Sequence, residues 1–396
     1  MTDIKDEGRV HSPITLAWDR QSSVVCHLRD SNFFGGPEKQ ILEHCALLAK
    51  GRRFLPLLAY FYGAGQSRDL ASRAKAAGLA TLGIESRGAF DVMAVRRLRR
   101  GLIETNVELL VTHGYKADVL GAAACRGLST KFLPCARGFT GETVKIRLYE
   151  ALQKWIIRRS PYIAAVSAGT AGALQALGIE RSRVHVIENV IRANVTVPAV
   201  DLRAEIGLPP GARTIVSVGR LSPEKGHAVL VRAFDALDAR DRGYLLLIGD
   251  GPERDQLGAL TDELGISSEV RFLGFRSDIL GCLGDSDLFV LPSYTEGLPN
   301  AILEAFVAQI PVISTRVGGT PELVKHDRTG LLTTKGSVDE LRGALLYAAE
   351  HPANMKRMAR TAKKFVGAWF TFERQQTKWE EVYETILSSD ERQGTA

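Results

Sequence analysis

The chain has 396 residues, 45% of them hydrophobic and 24% charged, which excludes a mainly disordered protein and allows two cores of about 150–200 residues each. Its formal charge of +6 at pH 7 suits anionic partners such as phosphate-bearing substrates, lipid headgroups or nucleic acid. Aromatic residues are only 7% and the arginine runs at 52–53, 96–100 and 158–159 lack them, which argues against the interleaved stacking surface of a nucleic-acid binder.

Residues 1–20 are polar and are expected to be mostly flexible. After them, short runs rich in Val, Ile and Leu alternate with longer amphipathic stretches. A first series of predicted strands covers residues 23–28, 54–61, 81–84, 107–112, 131–135, 163–166 and 184–187, and a second covers 214–218, 244–248, 270–273, 288–291 and 311–314. They show little strict alternation, as expected of strands buried on both faces of a parallel sheet. Predicted helices lie between them at 38–50, 90–103, 116–126, 142–159, 168–177, 226–237, 253–264, 300–308 and 338–350. In the first, Ile41, Leu42, Cys45, Leu48 and Ala49 share one stripe, and Pro37 stands just inside the start.

This alternation predicts an α/β protein made of two Rossmann-like doubly wound domains facing across a cleft. The joint is expected near 193–210, where the chain is extended and Pro209-Pro210-Gly211 breaks structure. The first domain is then 21–195 and the second 196–370. Residues 371–396 hold an amphipathic helix at 372–387, expected to pack back across the domains with a frayed end. Five cysteines without CxxC spacing argue against a disulfide framework or zinc site and fit a reducing cytoplasm. Met1 to Val10 do not read as a signal peptide. No apolar run approaches the ~18–20 residues of a spanning helix, so a lipid acceptor would be met from the inner membrane surface, with the arginine runs supplying a weak attraction to anionic lipid.

In open α/β sheets, ligands bind at the carboxyl ends of the strands. The loop after residues 288–291 holds Glu296 and Gly297, then a helix start with Leu298, Pro299 and Asn300, and Glu304 in its second turn. A helix start suits a phosphate, and carboxylates accept from sugar hydroxyls; the same spacing also suits one solvated and one capping glutamate. The loop after 214–218 places Arg220 and Lys225 around a turn that ends at Gly226. Those cations fit a diphosphate whose charge grows on departure, or a plain surface turn. Gly35 and Gly36 in the first loop allow close backbone approach to a ligand. His113 ends the strand at 107–112 and is either a ligand contact or a satisfied structural histidine, with Lys116 beside it as a further candidate for acceptor or phosphate. Arg137 ends the next strand and can meet a phosphate or the acceptor. Neither the Gly35 loop nor Gly249-Asp250-Gly251 is GxGxxG, which argues against a dinucleotide cofactor. Asp285-Ser286-Asp287 reads as DxD, yet it directly precedes a buried strand, so a turn role is expected and no metal.

Taken in order, these motifs resemble glycosyltransferase family 4, from Gly35-Gly36-Pro37-Glu38 through Asn189, Arg220, Lys225, Gly249-Asp250-Gly251 and Glu296-x7-Glu304 to Pro321-Glu322-Leu323-Val324 and Gly330-Leu331. The resemblance implies the GT-B fold and a retaining, metal-independent hexosyltransferase in polysaccharide or lipid-linked glycan synthesis. It implies no cofactor, a UDP- or GDP-sugar as donor substrate and a glycan or lipid-linked acceptor. Residue by residue, it puts Arg220 and Lys225 on the diphosphate, Glu296 on the donor sugar and Glu304 on the ribose. It puts the backbone of Gly297, Leu298 and Asn300 on sugar or phosphate, Gly36 against the diphosphate, His113 near the sugar and the nucleobase near Gly274-Phe275-Arg276. Asn189-Val190-Ile191-Arg192 departs from the family's Asn-Gly-Ile-Asp on the hinge side. A sugar-nucleotide epimerase or a phosphorylase could share the architecture, and a basic nucleic-acid binder is the non-enzymatic rival. Base, sugar, acceptor and oligomeric state are left open by these motifs.

Overall fold

The computed structural model describes residues 22–30, 34–63, 69–88, 91–138 and 144–388, and for 144–148 the backbone alone. The expectations for residues 1–20, for the end beyond 388 and for the helix start at 142 lie outside the described residues.

Thirteen described strands form two sheets. The first joins β1 (Ser23–Arg29), β2 (Phe54–Tyr62), β3 (Ala80–Glu85), β4 (Val107–His113), β5 (Lys131–Ala136), β6 (Ile163–Ala165) and β7 (Val184–Val186) in the order β3-β2-β1-β4-β5-β6-β7. The second joins β8 (Thr214–Val218), β9 (Tyr244–Ile248), β10 (Val270–Gly274), β11 (Leu288–Leu291), β12 (Val312–Thr315) and β13 (Leu331–Thr333) in the order β10-β9-β8-β11-β12-β13. Neighbouring strands run parallel, for example Leu110 opposite Phe132 and Val216 opposite Leu246. Their central residues are buried because helices cover both faces: Val25, Leu109 and Leu110 in the first sheet and Val216, Leu246 and Phe289 in the second are fully buried.

The expected strands are all present, most of them within two residues of their predicted ends. Among the described strands and α-helices seven lie outside those expectations: β13, the helices Asp69–Ala76, Ile279–Gly284 and Pro352–Trp369, and the four-residue helices Leu202–Glu205, Ala239–Arg242 and Thr320–Leu323. β13 has three residues, too few to show a period. The 18-residue helix buries Met355, Met358, Ala359, Ala362 and Val366; this stripe of small or flexible residues among lysines and arginines is weak in hydrophobicity.

In each sheet the strand order reverses once, between β1 and β4 and between β8 and β11. Crevices open outside the carboxyl ends at such points. His113 ends β4, and the loops leaving β1, β8 and β11 carry Gly35, Lys225 and Glu296, so the two crevices face each other across the cleft. Helix Phe372–Leu387 returns to the first domain and packs on helix Gly36–Leu48 and on β4. Among the described residues no helix is long and apolar enough to cross a membrane.

Candidate functional site

The second-domain half of the cleft is built by two loops pressed together. After β8 the chain passes Gly219 and the exposed Arg220, turns through Pro223–Lys225 and reaches Gly226 with φ of 67°. A Cβ on Gly226 would lie 2.4 Å from the Pro292 carbonyl oxygen, so only glycine lets the two loops meet. The result is an ion pair: Lys225 Nζ lies 2.7 Å from Glu296 Oε1. Ser293 Oγ donates to the same oxygen at 2.7 Å. The Glu296 side chain is only 8% exposed, and these two donors stabilise its charge. Helix Asn300–Val307 starts just after Pro299, which sits at the N-cap rather than inside the first turn, and no side chain caps it. Its first N–H groups and positive dipole end are therefore open to an anionic ligand. Glu304 follows in the second turn.

The first domain closes on this half at close range. A Cβ on Gly36 would lie 2.3 Å from Asn300 Nδ2, and Lys39 Nζ sits 3.1 Å from Glu304 Oε1. Gln40 Nε2 donates to Asn300 Oδ1 at 3.2 Å and to the Val190 carbonyl at 2.6 Å, while its Oε1 accepts from Val190 N at 3.0 Å. Val190 is buried with both backbone groups thus satisfied. Asn189 Nδ2 donates to the Leu298 carbonyl at 2.7 Å. Gly319 N donates to the Gly297 carbonyl at 2.8 Å. The Glu322 carboxylate accepts from Ala168 N at 3.0 Å and Gly169 N at 2.8 Å, joining the second domain to the start of helix Ala168–Ala176. Lys39, Gln40 and Gly318-Gly319 were not singled out as site residues from the sequence; only the glycine pair after a strand carried a usable signal.

Other candidates stand apart. Lys116 Nζ lies 3.7 Å from Asp30 Oδ1 and 4.8 Å from the Phe61 ring centre, so its charge is already engaged. Gly35 N donates to Glu38 Oε2 at 2.9 Å. Phe275 is 68% exposed, beside Arg276, which pairs with Glu205 and with Asp278 at 2.7 Å. Asp285 and Asp287 both bind Arg203, at 3.0 and 2.7 Å, and Asp287 Oδ2 also accepts from Thr214 N at 2.8 Å. That DxD therefore ties the joint segment to β8.

His113 is placed differently from the expected sugar contact. It is 1% exposed, and both ring nitrogens are engaged within the protein. Arg137 Nη2 lies 3.3 Å from His113 Nδ1. Arginine only donates, so Nδ1 accepts and Nε2 carries the proton. His113 Nε2 then donates to His27 Nδ1 at 3.0 Å, His27 Nε2 to Tyr383 Oη at 3.0 Å, and Tyr383 Oη to His44 Nε2 at 2.8 Å. One direction of donation thus runs from Arg137 in the cleft, through Tyr383 of the C-terminal helix, to His44 of helix Gly36–Leu48. Burial first, then neighbouring positive groups, hold His27 and His113 well below the usual histidine range, and burial lowers His44 to about 3. Arg137 is the cleft-side end of this chain. Its Nε is buried without a partner, and among the described residues its guanidinium bonds only to His113 and, at 3.4 Å, to Asn189 Oδ1.

Two results are expected from this chain. Tyr383→Phe leaves His27 Nε2–H without an acceptor and His44 Nε2 without a donor, at about 1–3 kcal/mol for each unpaired group; a urea melt equal to that of the wild type would show that the hydroxyl contributes nothing. Acidification works in the same direction. The unfolded chain takes up protons below about pH 6.5, while the folded histidines resist them, His44 down to about 3. Stability present above the unfolded value is therefore lost as pH falls through that window, which melts at stepped pH would register.

A model described as Glycosyltransferase Family 4 matches residues 34–194, and one described as Glycosyl transferases group 1 matches residues 200–365. The lipopolysaccharide core biosynthesis glycosyltransferase LpsD of Rhizobium meliloti (strain 1021) is 34% identical over 197 residues, covering 50% of this chain and 56% of LpsD. The Escherichia coli UDP-Gal:alpha-D-GlcNAc-diphosphoundecaprenol alpha-1,3-galactosyltransferase is 26% identical over 277 residues, 66% of this chain and 71% of that protein. The chain thus spans about half the length of the first of these relatives. A crystal structure of Anabaena HepE in complex with UDP and glucose superposes with a TM-score of 0.80 at 21% identity, covering 92% of this chain and all of that one, a likeness of fold.

Proposed function

From a chain that belongs to glycosyltransferase family 4, we propose that the cleft moves a hexose-type sugar from a nucleotide sugar to an acceptor hydroxyl in surface polysaccharide or lipid-linked glycan synthesis. The observation that carries this reading is the convergence of Lys225, Glu296 and an uncapped helix start opposite Gly36. A cation and a helix dipole end can hold a diphosphate, and the two glutamates accept from hydroxyls on either side of it. In this reading Arg220 and Lys225 stabilise the leaving diphosphate, Glu296 holds the donor sugar and Glu304 the ribose. The exposed Phe275 lies toward the base, and the backbone of Gly297, Leu298 and Asn300 meets sugar or phosphate. Gly35 and Gly36 close over the phosphates, and Arg137, held by His113, faces the incoming acceptor.

The reaction breaks the bond from the anomeric carbon to phosphate and forms one to the acceptor oxygen on the same face. Attack on that face retains the configuration, the acceptor proton passes to the departing phosphate oxygen so that no side-chain base is required, and Arg220, Lys225 and the helix end supply the positive charge in place of a metal. Domain closure excludes water and limits hydrolysis.

Thermal shift with a panel of UDP, GDP and their sugars tests the reading: UDP or GDP should stabilise the protein, and one of the matching sugars should turn over. A panel without any stabilising nucleotide would end it.

We further propose a peripheral contact with anionic lipid on the cytoplasmic side. Val92, Met93 and Ile103 are exposed on the arginine-rich helix Val92–Glu104, and Trp155 is exposed on Val144–Arg159 with the Arg159 guanidinium 4.0 Å over its ring. Both helices pack against Tyr115–Cys125. Basic amphipathic helices with exposed apolar residues suit a headgroup surface. Co-sedimentation with phosphatidylglycerol vesicles should be strong at low salt and fall as salt rises; failure to pellet at low salt would sink the proposal.

A further inference from the structure

A cavity of about 610 Å³ lies where the loops after β11, β12 and β13 meet helix Ala168–Ala176 of the first domain. Its volume is within the range of about 300–1,000 Å³ of small-molecule sites. Gly138 and Thr170 line it from one domain, and Tyr294, Glu296, Arg316 and Lys335 from the other.

Tyr294 is 42% exposed, yet its ring is held in place. A Cβ on Gly336 would lie 3.1 Å from its Cε1, and one on Gly226 3.4 Å from its Cε2; both glycines have positive φ, 75° and 67°. A fixed, exposed aromatic face suits the C–H face of a sugar ring, with the hydroxyl as a polar handle. Arg316 and Lys335 are exposed, and neither has a carboxylate within ion-pair distance among the described residues. The nearby Glu340, which feels the Arg316 charge, is engaged by Thr334 N at 2.7 Å. The carboxylate in the lining, Glu296, is already neutralised by Lys225. The wall therefore carries surplus positive charge beside an aromatic platform, in contact with the glutamate assigned above to the donor sugar.

We propose that this cavity is the acceptor subsite and that it takes an anionic saccharide, its ring on Tyr294 and its phosphate or carboxylate held by Arg316 and Lys335. The proposal rests on the transferase reading and names its acceptor class. Both anions accept bidentately from arginine, so the test must separate them.

The full chain, saturated with UDP, is titrated calorimetrically with methyl glucoside, glucuronic acid, glucose 6-phosphate and inorganic phosphate. The same titrations are made on Arg316→Gln/Lys335→Gln and on Tyr294→Ala. At least one anionic sugar should bind about tenfold tighter than methyl glucoside, with the better of the two naming the anion. The double variant should lose that preference and keep its UDP affinity, and Tyr294→Ala should weaken the sugars but not inorganic phosphate. The proposal is overturned if neutral and anionic sugars bind alike or not at all, if the double variant keeps the preference, or if inorganic phosphate binds as well as the sugar phosphate. Failure of the wild type to bind any nucleoside diphosphate in a prior titration would instead overturn the transferase reading.

Discussion

In the Lys225→Ala variant, sugar-transfer turnover is expected to fall by about 10²–10³-fold, the scale seen when one preorganised charge-stabilising group is removed. Two losses coincide. The leaving diphosphate loses a cation fixed in advance by the Pro223–Lys225 turn. Glu296 also loses the partner at 2.7 Å that holds its buried carboxylate, although Ser293 still donates to it. Glu296→Ala should reduce turnover with a smaller change in UDP affinity, because its assigned contact is to the sugar. The two side chains touch, so their effects should not add: Lys225→Ala/Glu296→Ala should be less impaired than the product of the single variants. Calorimetric titration with UDP gives the decisive reading. Wild-type UDP affinity in Lys225→Ala would remove the lysine from the proposed site.

Gly318→Ala is the second large effect, and it acts through backbone. Gly318 has φ of 49°, and a Cβ there would lie 1.7 Å from the Glu296 carbonyl oxygen and 2.8 Å from its carbon. No rotamer change relieves a clash with backbone, so the 296–297 peptide must move. The left-handed conformation adds about 1–2 kcal/mol for a residue with a side chain. The Gly318 carbonyl itself is packed against Gly169, where a Cβ would come within 2.2 Å of it. Any shift therefore reaches helix Ala168–Ala176 and the Glu322 carboxylate at its start. Stability should drop by about 1–3 kcal/mol and turnover by about 10²-fold, the cost of misplacing a reacting geometry by about 1 Å. A variant that melts lower but turns over normally would show that the Glu296 backbone position is not used in the reaction.

The readable and unreadable parts of this chain differ in the range of the forces behind them. The helices at 338–350 and 372–387 have the bounds expected of them, because each carries its apolar stripe and polar boundaries locally. Pro352–Trp369 carries no such local mark, since its buried face is mostly Met and Ala and a weak stripe is hard to tell from a solvated segment. Glu296, Arg220 and Lys225 were legible as residues of strand-exit loops, and Glu304 as one of the helix that follows, because a buried apolar run followed by Gly and Pro marks the end of a strand wherever it folds. The role of His113 was not: its partner His27 lies 86 positions away, and His27 in turn bonds to Tyr383 on the returning C-terminal helix. Gln40 reads as an ordinary helix-surface residue, and it became a cross-domain tie only when Val190 and Asn300 were brought to it.

Local composition thus settled that there would be two parallel sheets and which loops would leave the carboxyl ends of their strands, since burial and turn formation depend on residues close in the chain. The pairing of Lys225 with Glu296, the closure of Gly36 on Asn300 and the positive cavity beside Tyr294 required the folded molecule. They depend on β8 lying beside β11 and on two domains meeting, contacts between residues 71 or more positions apart that no neighbouring sequence encodes.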